Sequence, residues 1–124
     1  MKNKPRILAV DDDPRSLRLV EACLVPHGYE VVTARNGEDG VAIVANEKVD
    51  LILMDVMMPV LDGYEACRRL KDNPATKDIP VVMLTAKTQL TEQKAGLDCG
   101  AGDYVCKPFT PKELVAQVQE FLGE

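Results

Sequence analysis

Four short apolar runs in this chain each end at a polar residue that can bind or transfer a chemical group. Residues 7–10 end at Asp11, residues 51–54 at Asp55, residues 81–84 at Thr85 and residues 104–106 at Lys107. If these runs are parallel strands of one sheet, their carboxyl ends lie side by side, where open α/β sheets bind their ligands. The pattern therefore predicts that carboxylates, a hydroxyl and an ammonium group converge at one edge of a sheet.

Segments with the periodicity of amphipathic helices lie between the apolar runs. The first begins at the N-cap Asp13 and the second at the N-cap Asn36, with Val41, Val44 and Ala45 predicted to face inward. A third helix is predicted around residues 66–70, a weaker fourth over residues 89–99, and a fifth at a capping box that begins with Thr110. With a further strand at residues 29–34, the order is βαβαβαβαβα. This order predicts a flavodoxin-like (βα)5 fold of the α/β class, in which a five-stranded parallel sheet of order 2-1-3-4-5 has helices on both faces.

Size and composition predict one cytoplasmic domain over residues 1–124. A chain of 124 residues with 46% apolar content is sufficient for a single core. The net charge of −5 argues against direct nucleic-acid binding, which requires clustered Lys and Arg. The apolar runs are far shorter than the roughly 20 residues that cross a bilayer. Because the four cysteines form no CxxC pair, we expect reduced, mostly buried thiols and no zinc site.

The predicted topology brings three acidic residues together. In the order 2-1-3-4-5, strands 1 and 3 are neighbours, so Asp11, Asp12 and Asp55 meet at the edge of the sheet. Close carboxylates repel one another, and a hard cation with oxygen ligands relieves that repulsion. Mg²⁺ fits best because it takes one or two carboxylates and keeps several waters. Asp13 is interpreted separately, as a helix cap.

Four motifs, in order and at matching spacing, resemble the receiver domain of bacterial two-component response regulators. They are Val10-Asp11-Asp12-Asp13-Pro14, Met54-Asp55-Val56-Met57-Met58-Pro59 with Asp62-Gly63, Thr85-Ala86, and Lys107-Pro108-Phe109. The resemblance implies that Asp55 accepts a phosphoryl group from a histidine kinase or a histidine phosphotransfer protein. It also implies that Asp12, Asp55 and the Met57 carbonyl bind Mg²⁺, with Asp11 assisting from behind them.

The resemblance also assigns roles to the other two strand ends. Lys107 pairs with one phosphoryl oxygen, and a cis Lys107–Pro108 peptide aims it into the crevice. The Thr85 hydroxyl donates a hydrogen bond to another oxygen, and Tyr104 swings inward as the threonine moves. Phosphorylation is then expected to alter the face formed by helix 4, strand 5 and helix 5, which binds a downstream protein. Such a domain is a signalling switch that assists its own phosphorylation and dephosphorylation, and it is not an enzyme acting on a separate substrate.

Three alternatives remain open from the sequence. An aspartyl-nucleophile phosphatase of the haloacid-dehalogenase type shares the strand-end aspartate, but this chain has no aspartate two residues after Asp55. A pseudo-receiver or flavin-binding module does not need Asp55. A receiver can also stand alone or belong to a longer regulator, such as one with a diguanylate cyclase.

Overall fold

A parallel β-sheet forms the centre of the molecule. The computed structural model describes residues 4–55, 63–86, 103–107 and 110–123, and at residues 63–64, 85–86 and 103–107 it describes the backbone alone. The strands are β1 (Arg6–Val10), β2 (Glu30–Ala34), β3 (Leu51–Asp55), β4 (Val81–Ala86) and β5 (Asp103–Lys107). Their order is β2-β1-β3-β4-β5, and every neighbouring pair is parallel. The α/β class and the order 2-1-3-4 agree with the prediction; the helix predicted over residues 89–99 lies outside the described residues.

Among the described residues, four α-helices pack on the sheet, and caps predicted from the sequence begin three of them. They are α1 (Pro14–Leu24), α2 (Gly37–Asn46), α3 (Gly63–Asp72) and α4 (Pro111–Leu122), the last being the fifth helix of the sequence prediction. Asp13 accepts a hydrogen bond from the Arg15 N–H at 2.9 Å, and Asn36 accepts one from the Asp39 N–H at 2.7 Å. Both bonds satisfy donors that the first helical turn leaves unpaired. Within the described ranges, no helix combines the length and apolarity needed to cross a membrane.

The core lies on both faces of the sheet. Side chains of successive strand residues alternate between two apolar clusters, because neighbouring residues of a strand point to opposite faces. Leu8 and Val10 pack in the cluster beneath α2 and α3, whereas Ile7 and Ala9 pack in the cluster beneath α1 and α4. All five residues of β3 are buried, as expected for a strand covered on both sides. This strand therefore gives Asp55 a rigid support.

The inward face of α2 differs from the prediction at one position. Val44 is buried and Val41 half-buried, but Ala45 is exposed, and the other buried positions of α2 are Gly37 and Gly40. The prediction for Ala45 was wrong because the glycines, which carry no apolar side chain, give no signal in a hydrophobic pattern. A Cβ added at Gly40 would lie 2.9 Å from Cγ2 of Val10, so the glycine permits close packing of α2 on β1.

Candidate functional site

Three carboxylates meet at the carboxyl edge of β1 and β3. Asp11 and Asp12 directly follow β1, whose last residue, Val10, pairs in register with Met54, and Asp55 is the last residue of β3. Ligand oxygens of Asp11, Asp12 and Asp55 all lie within 4.8 Å of one another. Asp11 is 3% exposed and Asp55 is 7% exposed, whereas Asp12 is open to solvent. The structure therefore brings together the three acidic residues that the strand order predicted.

Two hydrogen bonds donated by backbone N–H groups fix the loop that carries Asp11 and Asp12. The Asp11 N–H donates to the Ala34 carbonyl of β2 at 3.1 Å, and the Asp13 N–H donates to Oδ1 of Asp11 at 3.0 Å. Asp13 caps α1 through the Arg15 N–H and pairs with the Arg15 guanidinium at 3.3 Å. The hydrogen bond to Asp13 and its charge raise the pKa of the Arg15 guanidinium above its ordinary value. Asp13 thus has the capping role predicted for it.

The donor set of this acidic cluster fits a hard divalent cation. Carboxylate oxygens are the ligands that Mg²⁺ and Ca²⁺ prefer, and Mg²⁺ in particular keeps several waters when it binds to one or two carboxylates. The exposed Asp12 leaves the cluster open to water on one side, while the burial of Asp11 and Asp55 limits screening of their charges. A cation at this position would offset the repulsion among the carboxylates.

Thr85 and Lys107 come to the same edge of the sheet through their backbones. Asp55 pairs in register with Leu84, so Thr85 is one residue beyond that pair, and Ala86 pairs with Lys107. The side chains of Thr85, Tyr104 and Lys107 are not among those described, and Met57 and Pro108 lie outside the described residues altogether. Their predicted roles stay predictions.

Arg35 contacts the acidic loop, and sequence reasoning did not identify it. Its Nε and Nη2 each lie 3.3 Å from the carbonyl oxygen of Asp12 and donate to it. Arg35 directly follows β2, the neighbour of β1, and precedes the N-cap Asn36. The only signal for this residue in the sequence is its place at the end of a strand next to β1.

The described cysteine side chains agree with the prediction of buried thiols. Cys23 and Cys67 are both buried. Burial raises the pKa of the Cys23 thiol, which favours its uncharged form. Cys99 lies outside the described residues, and the side chain of Cys106 is not among those described.

Comparisons with known proteins identify the family. The model of the response regulator receiver domain matches residues 7–119. The "Probable transcriptional regulator ycf27" of Cyanophora paradoxa is 47% identical over 120 residues, which cover 97% of this chain and 49% of that protein. The chain thus spans about half the length of this curated relative.

Solved structures give the same result. The chemotaxis protein CheY4 of Vibrio cholerae superposes with a TM-score of 0.91 at 34% identity, covering 96% of this chain and 99% of that one. The receiver domain of a sensor histidine kinase from Pseudomonas aeruginosa superposes with a TM-score of 0.90 at 34% identity, covering 98% and 99%. That receiver has a magnesium ion coordinated in its active-site cleft. The chain belongs to the response regulator receiver domain family.

Proposed function

We propose that this receiver domain is a phosphoryl-accepting switch whose acceptor is Asp55. As a receiver, the chain is a signalling domain of a two-component system. The observation that carries the assignment is the cluster itself, in which Asp55 ends a fully buried strand within 4.8 Å of Asp11 and Asp12. In the proposed step, a carboxylate oxygen of Asp55 attacks the phosphorus of a phosphohistidine. The phosphorus–nitrogen bond breaks, and the imidazole nitrogen keeps the electron pair and takes up a proton.

Asp12, Asp55 and the Met57 carbonyl are the proposed Mg²⁺ ligands, supported by Asp11. The oxygen donors and the open side at Asp12 support this choice. When bound, Mg²⁺ neutralises charge on the attacking carboxylate and on a phosphoryl oxygen. Oδ1 of Asp11 accepts a hydrogen bond from the Asp13 N–H, so Asp11 holds the loop in addition to contributing negative charge.

Thr85 and Lys107 are proposed to hold the remaining phosphoryl oxygens. The register that places both residues near Asp55 at one sheet edge supports these roles. A hydroxyl and an ammonium group directed at the phosphoryl group stabilise the charge spread over its equatorial oxygens. Tyr104, which pairs in register with Met83, is the proposed sensor of Thr85 movement. In this way the domain assists its own phosphorylation and dephosphorylation.

The proposed partners are a histidine kinase or histidine phosphotransfer protein and a downstream protein. The proposed binding site for the downstream protein is the face formed by the fourth helix predicted over residues 89–99, together with β5 and α4. We propose that residues 1–124 form one cytoplasmic receiver domain with five complete βα units. Direct nucleic-acid binding by this domain is not expected, given its net charge of −5. The relative from Cyanophora paradoxa is named a transcriptional regulator, and this chain covers about half of it.

Phosphorylation by a small-molecule donor tests the proposal. The protein is incubated with acetyl phosphate and Mg²⁺, and covalent adducts are followed by intact mass. We expect one phosphoryl group per chain, released by hydroxylamine, which cleaves acyl phosphates. The adduct should be absent in Asp55→Asn and in wild type without Mg²⁺. It should be present in Asp78→Asn, which removes an exposed aspartate just before the start of β4, away from the carboxyl ends of the strands. An adduct retained in Asp55→Asn would disprove the acceptor assignment, and no adduct in the wild type would favour the pseudo-receiver.

A parallel incubation with a phosphomonoester, in which released inorganic phosphate is measured, addresses the phosphatase alternative. An aspartyl-nucleophile phosphatase would turn over phosphomonoesters and release many equivalents of inorganic phosphate per chain. A receiver should yield a single equivalent of covalent phosphate from acetyl phosphate and none from a phosphomonoester. The family match over residues 7–119 favours the receiver.

A further inference from the structure

We propose that Arg35 is a positioning residue for the acidic cluster, fixing the backbone of Asp12 so that its carboxylate is held for the divalent cation. This inference rests on the proposed function, because it assigns Asp12 to the metal site. Arg35 approaches with two donors, Nε and Nη2, each 3.3 Å from the Asp12 carbonyl oxygen. Both bonds are at the surface and join residues that are 23 positions apart in the sequence.

Both polar groups of the peptide between Asp12 and Asp13 are hydrogen-bonded, and Arg35 binds one of them. The peptide that joins Asp12 to Asp13 has its carbonyl oxygen bound by Arg35 and its N–H bound by Oδ1 of Asp11. A peptide unit is planar, so holding both of its polar ends fixes its orientation. The backbone dihedrals on either side of it, which direct the Asp12 side chain, are restricted as a result.

The end of β2 supplies a second hold on the same loop. The Ala34 carbonyl, at the last position of β2, accepts the Asp11 N–H at 3.1 Å, and Arg35 follows directly in the chain. Ala34 at the end of β2 therefore binds the Asp11 N–H, and the next residue, Arg35, binds the Asp12 carbonyl oxygen. Because Asp12 is exposed, packing does little to restrain it, and its position depends mainly on these hydrogen bonds.

Electrostatics alone predicts the opposite effect of removing Arg35. A guanidinium beside the cluster repels an incoming cation, so deleting only its charge would tighten Mg²⁺ binding. Deleting a positioning group lowers the fraction of molecules in the binding-competent state and weakens binding by that factor. The direction of the change in Mg²⁺ affinity therefore separates the two effects.

The experiment measures the Mg²⁺ dissociation constant of the unphosphorylated protein by isothermal titration calorimetry. We expect Arg35→Ala to raise this constant about fivefold, the effect of losing one hydrogen-bonded support. Arg35→Lys, which keeps a charged donor of similar reach, should raise it less. The matched control is Arg15→Ala, which removes a second exposed cation near the cluster but leaves the Asp12 carbonyl bonds intact. An unchanged or lower constant in Arg35→Ala, or an equal rise in Arg15→Ala or Arg35→Lys, would overturn the proposal.

Phosphorylation kinetics provide a second measurement. With acetyl phosphate as donor, Arg35→Ala should need about fivefold more Mg²⁺ for half-maximal rate, while its rate at saturating Mg²⁺ stays within about twofold of wild type. A loss of rate that saturating Mg²⁺ does not restore would contradict a role through the metal site. If the wild type binds no Mg²⁺, the proposed function and this inference both fail; if wild type and Arg35→Ala bind it equally, only the role of Arg35 is wrong.

Discussion

The acidic cluster should make the metal-free protein less stable, and Asp12→Asn tests this directly. Asn has nearly the shape of Asp but no charge, so the substitution removes repulsion with little change in packing. Asp12 is exposed, whereas its neighbours Asp11 and Asp55 are buried, so its replacement opens no cavity. We expect Asp12→Asn to unfold at a higher urea concentration than the wild type in the absence of divalent cations.

The magnitude follows from the geometry of the cluster. Oxygens of Asp12 lie within 4.8 Å of ligand oxygens of both Asp11 and Asp55. At that separation two unit charges repel by about 1 kcal/mol in water and by about 3.5 kcal/mol at an effective dielectric constant of 20. The exposure of Asp12 favours the lower value. Removing two such pairs should therefore raise the free energy of unfolding by about 2 kcal/mol.

Urea unfolding followed by circular dichroism, at low ionic strength with a chelator, measures this difference. Asp78→Asn is the control, since it removes an exposed carboxylate outside the cluster and should change stability by less than about 0.5 kcal/mol. Mg²⁺ at about 100 times its dissociation constant for the wild type should then stabilise the wild type by about 2.7 kcal/mol and Asp12→Asn by less. The electrostatic reasoning is wrong if Asp12→Asn is no more stable than Asp78→Asn without Mg²⁺. It is also wrong if Mg²⁺ stabilises Asp12→Asn as much as it stabilises Asp78→Asn.

Three further predictions concern packing, capping and titration. Gly40→Ala should lower the free energy of unfolding in urea by about 1 kcal/mol, because overpacking against Val10 outweighs the gain in helix propensity. This loss should disappear in a Val10→Ala background. A Gly40→Ala variant more stable than the wild type would contradict the prediction. Thr110→Ala should lower the free energy of unfolding by about 1 kcal/mol because the Glu113 N–H loses its hydroxyl acceptor, while the bond from the backbone N–H of residue 110 to Glu113 can still form. Thr110→Ser should cost much less, and equal losses would show that the hydroxyl has no such role. Burial raises the pKa of the Cys23 thiol, so the folded protein holds this proton more tightly than the unfolded chain does. The stability that the protonated thiol contributes is therefore fully present below the thiol pKa of the unfolded chain, and it is lost as pH rises through the thiol pKa of the folded protein. The alkaline loss of stability should therefore be shallower in Cys23→Ala, and an unchanged slope in urea midpoints between about pH 8 and pH 10 would count against this.

Local features of the sequence were sufficient to predict much of the fold. The Asp13 and Asn36 caps and the Thr110 capping box are contacts between residues two or three positions apart, so a short sequence window contains all the information. The alternation of apolar runs and helices then restricted the topology to a parallel sheet, which placed Asp11, Asp12 and Asp55 together. Ala45 shows where this reasoning fails, because the close packing of Gly40 on Val10 moved the buried face of α2.

Non-local contacts of the site could not be predicted in the same way. Arg35 and Asp12 are 23 residues apart, and no periodicity or motif links an arginine side chain to a distant backbone carbonyl. The contact depends on the twist and register of β1 and β2, which hold Val10 against Ala34. A sequence pattern specifies which strands are neighbours, but the position of a long side chain beyond the strand end depends on the finished backbone.

Asp55, the proposed acceptor, and Asp12, a proposed metal ligand, are held in place by different kinds of interaction. Asp55 is fixed by β3, a strand buried along its whole length, so its position depends on the cooperative stability of the core. Asp12 is exposed on a loop and depends on a few hydrogen bonds, including those from Arg35. Changes around the loop should therefore alter cation affinity while the acceptor keeps its geometry. Under the proposed function, a substitution at Arg35 should therefore change how much Mg²⁺ this domain needs without moving Asp55, the proposed acceptor.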